Sequence, residues 1–222
     1  MSTITIHPKV KHNNTIIMLH GMYCDANSMK KQYNILVNKL IYTKFIFVDS
    51  PTMTINWPDG KERNVKSWYN YYTRNDGVME HDTIELSDMN TQTKRLLRII
   101  ENEVKILKDN KKVYLCGSSQ GGTVCLNTLM HYHQSLGGLF CMRTILMNNI
   151  TKVNPIAKNT PIYIFSGEND EIYLLKLQKL SYIHLEYNGY KINWVIESGL
   201  THSEYTDKEE LFIINYMNLH LK

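Results

Sequence analysis

Short apolar runs rich in β-branched and aromatic residues alternate in this chain with longer segments whose apolar residues recur every three or four positions. That alternation constrains the fold more than any other feature, because it asks for a parallel sheet with helices on both faces. The runs predict strands over residues 3–7, 15–19, 44–48, 112–116, 143–147, 161–165 and 191–196. Several are near-continuously apolar, as strands buried on both faces are. Helices are predicted over 28–40, with Met29, Tyr33, Leu36, Val37 and Leu40 on one face, and over 87–108, with Met89, Leu96, Leu97, Ile100, Val104 and Leu107. Ser87 and Asp88 supply the second with a cap oxygen and a first-turn negative charge. Two more are expected over 120–132 and 207–219, the last with Leu211, Phe212, Ile214 and Met217 facing inward.

Residues 51–85 fit neither period. They are rich in Trp, Tyr, Asn and Asp, carry "WPDG" as a turn, and are too long for a simple connection, which suggests a lid, a binding loop or local disorder. With 222 residues and no repeat or linker, residues 1–222 read as one domain. A net charge of +4, with Lys and Arg dispersed as pairs such as Lys30-Lys31, offers no basic stripe, so nucleic acid is not an expected partner. Cys24, Cys116, Cys125 and Cys141 form no CxxC pair and read as reduced thiols. No stretch approaches the roughly 18 apolar residues of a membrane span. A soluble cytoplasmic protein, monomer or homodimer, is the default expectation.

The stretch "YLCGSSQGG" places Gly117, Ser119 and Gly121 at a strand-to-helix junction. Glycines two residues before and after a serine permit the sharp turn that lifts its hydroxyl above the sheet edge, a nucleophile elbow. The N–H groups that open the next helix point at the same space, so the backbone of Gln120 is expected to donate to a developing oxyanion.

A serine needs a base and a carboxylate, and on such a fold the chain order is serine, acid, histidine. Of the histidines after Ser119, His131 and His133 fall on a helix, His184 in a helix or loop, and His220 in the terminal helix. His202, in "ESGLTHSEY", follows a predicted strand in a glycine-containing loop. "IYIFSGENDEIY" offers Glu168, Asp170 and Glu171 for the acid; Asp170 lies far enough past the strand end to turn back toward His202, with Glu168 the runner-up. The second oxyanion donor is expected from Met22, after the flexible Gly21 in "LHGMYCDANS", and His20 reads as a loop-shaping residue that bonds locally. Met22, Tyr23, Trp57, Trp68, Tyr69 and Leu200 are candidates for an apolar acyl groove.

The segments "IIMLHGM", "CGSSQGG", "SGENDEIY" and "SGLTHSEY", in this order, resemble the acyl-protein thioesterase and carboxylesterase/lysophospholipase branch of the α/β-hydrolases. The Ser-Gln-Gly-Gly continuation and "SWY" at residues 67–69 carry the likeness further. The resemblance implies a mostly parallel sheet of seven or eight strands with little or no lid. It implies hydrolysis of small esters or of acylated proteins without metal or cofactor, with Ser119, Asp170 and His202 as triad and Met22 and Gln120 as oxyanion donors. Ser118 stands where that family usually has an aromatic residue, Ile172-Tyr173 replaces Val-Pro, and "MYCDAN" replaces a glycine-richer loop, so acyl preference stays open. A peptidase or a C–C bond hydrolase would use the same triad, and a non-catalytic binding protein would need none of it.

Overall fold

The computed structural model describes residues 3–75, 82–147 and 154–220. Seven strands form one sheet: β1 (Thr3–Ile6), β2 (Asn14–Leu19), β3 (Thr43–Val48), β6 (Val113–Ser118), β7 (Gly138–Met142), β8 (Ile162–Gly167) and β9 (Ile192–Glu197). Their order is β1-β3-β2-β6-β7-β8-β9, with β1 antiparallel to β3 and every other pairing parallel. Of the seven or eight strands expected in a mostly parallel sheet, seven form it among the described residues.

Strand alternation divides the core. Ile16 and Met18 of β2, with Tyr114 and Cys116 of β6, pack on one face against α1 (Ala26–Gln32), α2 (Asn34–Lys39) and α6 (Asp207–His220). Ile17 and Leu19, with Val113 and Leu115, pack on the other against α3 (Leu86–Leu107), α4 (Gln120–His131) and α5 (Leu175–Tyr187). A one-residue slip of any central strand would exchange these sets, so the register is strongly held.

Local chemistry moves several predicted boundaries. The helix expected over 28–40 starts earlier, because Asp25 caps it by accepting from the Ser28 N–H at 2.7 Å, and it divides into α1 and α2 where Tyr33 leaves helical geometry. Glu85, not Ser87, caps α3, accepting from the Ser87 N–H, while Lys108 ends it in a left-handed conformation. Helix α5 forms where the stretch around His184 reads as helix or loop. In α6, Leu211 is exposed, and Ile213 joins Phe212, Ile214 and Met217 inside instead.

The strand predicted over 143–147 is displaced to β7. Arg143 turns out of the strand at φ 43, whereas Gly138 can run between the Tyr114 and Tyr163 rings, where a Cβ would lie 3.2 and 3.0 Å from them. The buried stretch after Arg143 is loop at the carboxyl edge of the sheet.

Within residues 51–85, read as a lid, a binding loop or local disorder, two strands form. β4 (Thr52–Trp57) and β5 (Gly60–Lys66) form an antiparallel hairpin with Trp57 opposite Gly60, so "WPDG" is a turn as read. Asn70 ties the following segment to the hairpin through Asn56 N–H and the Thr54 carbonyl. Residues 76–81 of that segment lie outside the described residues.

Candidate active site

Four carboxyl strand ends converge: those of β2, β6, β8 and β9. At the end of β6 the backbone reverses at Ser119, with φ 49 and ψ −122. A serine held there stores roughly 1–3 kcal/mol of strain. Neighbours impose the conformation: the Ser119 N–H donates to the Met142 carbonyl at 2.9 Å, and its carbonyl accepts from Gly122 N–H and Thr144 Oγ1. The flanking glycines are steric necessities. A Cβ on Gly117 would stand 2.5 Å from the Gly122 Cα, and one on Gly121 would stand 2.5 Å from the Leu19 and His20 carbonyl oxygens.

His202 faces the serine, its Nε2 2.8 Å from Ser119 Oγ, while its Nδ1 lies 2.9 and 3.0 Å from the two oxygens of Asp170. Because Nδ1–H donates to the carboxylate, the Nε2 lone pair is left to accept the serine proton. Asp170 is 2 % exposed, and its oxygens also accept from Ile172 N–H at 3.1 Å, Tyr173 N–H at 2.7 Å and Gln178 Nε2 at 3.3 Å. Each such bond to a charged acceptor is worth about 1.5–3 kcal/mol. The Tyr173 ring meets the imidazole edge-on at 5.2 Å.

The other two acidic candidates take different work. Glu168 accepts from Ser198 Oγ and Gly199 N–H, and these bonds hold its carboxyl below the ordinary range. Glu171 accepts from the His202 backbone N–H at 2.9 Å, which lowers its carboxyl likewise. All three carboxylates thus grip the His202 loop, and only Asp170 reaches the ring.

The loop after β2 runs beside the serine: a Cβ on Gly21 would lie 3.4 Å from Ser119 Cβ. His20 shapes that loop as expected. Its Nε2 accepts from Ser50 N–H at 3.1 Å, so its Nδ1 carries the proton donated to the Gly21 carbonyl at 2.7 Å. Burial lowers its pKa, keeping the ring neutral. Among the described residues, the backbone N–H groups of Met22 and Gln120 have no backbone acceptor. The Gln120 side chain points elsewhere, bonding Ser67, Trp68 N–H and the Tyr69 carbonyl.

A model of the phospholipase/carboxylesterase family matches residues 2–221. The chain belongs to that family. The protein is therefore an ester-bond hydrolase with the α/β-hydrolase fold. Acyl-protein thioesterase 1 homolog 2 of Dictyostelium discoideum is 25% identical over 183 residues, 81% of this chain and 80% of its own length. Acyl-protein thioesterase 1 of Gibberella zeae is 26% identical over 222 residues, 91% of this chain and 90% of its own. The crystal structure of Arabidopsis thaliana SOBER1 superposes with a TM-score of 0.83 at 22% identity, over 94% of this chain and 99% of that one. Zea mays acyl-protein thioesterase 2 gives 0.81 at 17% identity, over 100% and 99%.

In this hydrolase Ser119 and His202 open on a cavity of about 600 Å³. Met22, Tyr23 and Trp57 line it, joined by Met29, Tyr33, Tyr71 and Ile172. Trp68, Tyr69 and Leu200 do not. Trp68 and Tyr69 are buried under the loop, Trp68 donating its indole N–H to the His20 carbonyl at 2.7 Å, and Leu200 packs in the core beneath the Gly167 turn. Aromatic content alone could not separate a wall from a buried strut.

Two contributors escaped the sequence reading. Gln178, on α5, joins Asp170 to Ser166 Oγ, which accepts from the Trp194 indole. Arg143, read as a strand residue, is buried on the cavity wall.

Proposed function

We propose that this hydrolase is a serine carboxylesterase or thioesterase working through an acyl-enzyme on Ser119. The observation that carries this reading is the continuous chain of hydrogen bonds from Ser119 Oγ through His202 to Asp170. His202 Nε2 takes the serine proton as Oγ bonds to the acyl carbon. The carbonyl oxygen gathers negative charge between the N–H groups of Met22 and Gln120, where such donors are typically worth about 3 kcal/mol each. When the tetrahedral intermediate collapses, the bond from the acyl carbon to the leaving oxygen or sulfur breaks, and Nε2 delivers its proton to that atom. Water then attacks the acyl-serine by the same route, returning the acid and free Ser119.

The substrates proposed are small esters and acylated proteins, in line with the relatives named acyl-protein thioesterases. The apolar side of the cavity, formed by Met22, Met29, Trp57 and Ile172, suits an acyl chain. A cytoplasmic setting agrees with four cysteines that are all free thiols. No helix of the described residues is long and apolar enough to cross a membrane.

Labelling with a fluorophosphonate probe and mapping of the modified peptide, beside turnover of p-nitrophenyl esters of increasing chain length, tests the reading. Label on Ser119 with ester turnover supports it. A folded sample that takes no label overturns it.

A further inference from the structure

Arg143 is an unusual side chain for the wall of an acyl pocket. It follows the last residue of β7, adopts φ 43 outside any glycine, and is 4 % exposed. Its backbone N–H donates to the Phe165 carbonyl at 2.8 Å, which locks the turn. Arg143 lines the same cavity as Ser119, His202, Met29 and Tyr33.

The donors of its guanidinium are unevenly spent. Both hydrogen bonds it makes leave from Nη1, one to the Glu204 carbonyl at 2.6 Å and one to Glu209 Oε1. Nε is buried with no acceptor. Among the described residues Nη2 has none either, and unlike Nε it is not enclosed. Three of the five N–H groups are therefore unspent, and with Nε–H enclosed it is the two on Nη2 that are open to an oxygen of a carboxylate or phosphate. Leaving such donors without acceptors in a buried site is costly, so a ligand that supplies oxygens there is strongly favoured.

Glu209 does not cancel this. It stands on the Nη1 edge, where it also accepts from Tyr33 Oη at 3.1 Å. An anion meeting Nη2 would touch the guanidinium directly while Glu209 stays on Nη1, so the attraction acts at the shorter range. The positive field reaches along the wall, opposing the rise that burial causes in the Cys24 thiol.

Building on the esterase reading, we infer that Arg143 is a specificity-determining residue that binds an anionic group, carboxylate or phosphate, carried by the ester substrate. The cavity then takes an acyl ester bearing a negative charge either at the far end of the acyl chain or on the leaving alcohol. A neutral aliphatic ester leaves Arg143 Nη2 unmet, and sites built around such donors reject the analogue that lacks the acceptor.

Two matched pairs test this. The p-nitrophenyl monoester of glutarate is compared with p-nitrophenyl butyrate, which lacks only the acyl-side carboxylate. Butyrylglycerol phosphate is compared with butyrylglycerol, which lacks only the leaving-group phosphate. The expected result is a preference in kcat/KM of about tenfold or more for the anionic member of one pair, and which pair shows it identifies the source of the charge. Arg143→Lys keeps a cation against Glu209 but has one terminal nitrogen in place of two, so the ratio should fall toward unity. Because a single loss of Arg143 strands a buried carboxylate, the double variant Arg143→Met with Glu209→Gln provides a second test, and it too should lose the ratio. No preference in either pair while neutral esters turn over, or a ratio preserved in Arg143→Lys, would overturn the inference alone. Absence of turnover of all four esters together with no fluorophosphonate label on Ser119 would overturn the esterase reading as well.

Discussion

Asp170 meets His202 Nδ1 with both carboxylate oxygens, at 2.9 and 3.0 Å, from a position closed to water. That contact orients the ring and dictates its tautomer. Asp170→Asn should turn an amide toward Nδ1, favour the wrong tautomer and lower kcat by about 10⁴. Glu168→Gln, on an exposed carboxylate two residues earlier, should leave kcat within about threefold. Steady-state kinetics of the two variants on one p-nitrophenyl ester separates the acids, and the reverse ranking would refute the choice of Asp170.

Ser119→Ala should lower turnover by at least about 10⁴. The fold should survive, because what holds Ser119 in place is its backbone, bonded to Met142, Gly122 and Thr144. Circular dichroism and fluorophosphonate labelling check both halves. Activity within about tenfold of wild type would remove Ser119 from the chemistry.

Gly117→Ala should destabilise by more than about 3 kcal/mol, since the new methyl meets the Gly122 backbone and no side chain can yield. Urea denaturation measures it. A loss below about 1 kcal/mol would mean that the elbow is looser than its geometry.

His20 makes stability depend on pH. Burial lowers its pKa from 6.5 in the native state, so the unfolded chain takes up a proton where the native chain does not. Stability is therefore full above about pH 6.5 and falls as the pH drops from there toward the native pKa. Protonation also turns Nε2 into a donor facing the Ser50 N–H, which breaks the bond that anchors the loop before Met22. His20→Gln should flatten the slope of Tm against pH between about 7 and about 5, with His12, lowered in the same direction, supplying a remainder. An unchanged slope would exclude His20 as its source.

Trp57→Ala should alter the dependence of KM on acyl-chain length, because Trp57 lines the cavity. Trp68→Phe should leave that profile in place while costing about 1–2 kcal/mol for the lost bond to the His20 carbonyl. A chain-length series with both variants distinguishes a wall from a strut.

Much was legible in the sequence because it rests on local physics. Apolar periodicity separates strands from helices, and a serine framed by glycines has few conformations to choose from. Chain order then narrowed the acid and base to a few residues, of which Asp170 and His202 do meet. The strand at 143–147 was misread because Ile145, Leu146 and Met147 form an apolar run like that of β7; what decides between them is whether Gly138 can pass between two tyrosine rings, a contact made by residues far apart in the chain. Gln178 and Arg143 were invisible for a related reason, since a polar residue gains its role from the partners that folding brings to it. Sequence alone determined the order of elements and the residue types able to perform acyl transfer, because both follow from short-range sterics and side-chain chemistry. Only the tertiary structure decided which carboxylate reaches the imidazole, which aromatics face the cavity and which guanidinium donors stay unspent, because those depend on distances between segments that have no fixed separation until the sheet closes the chain upon itself.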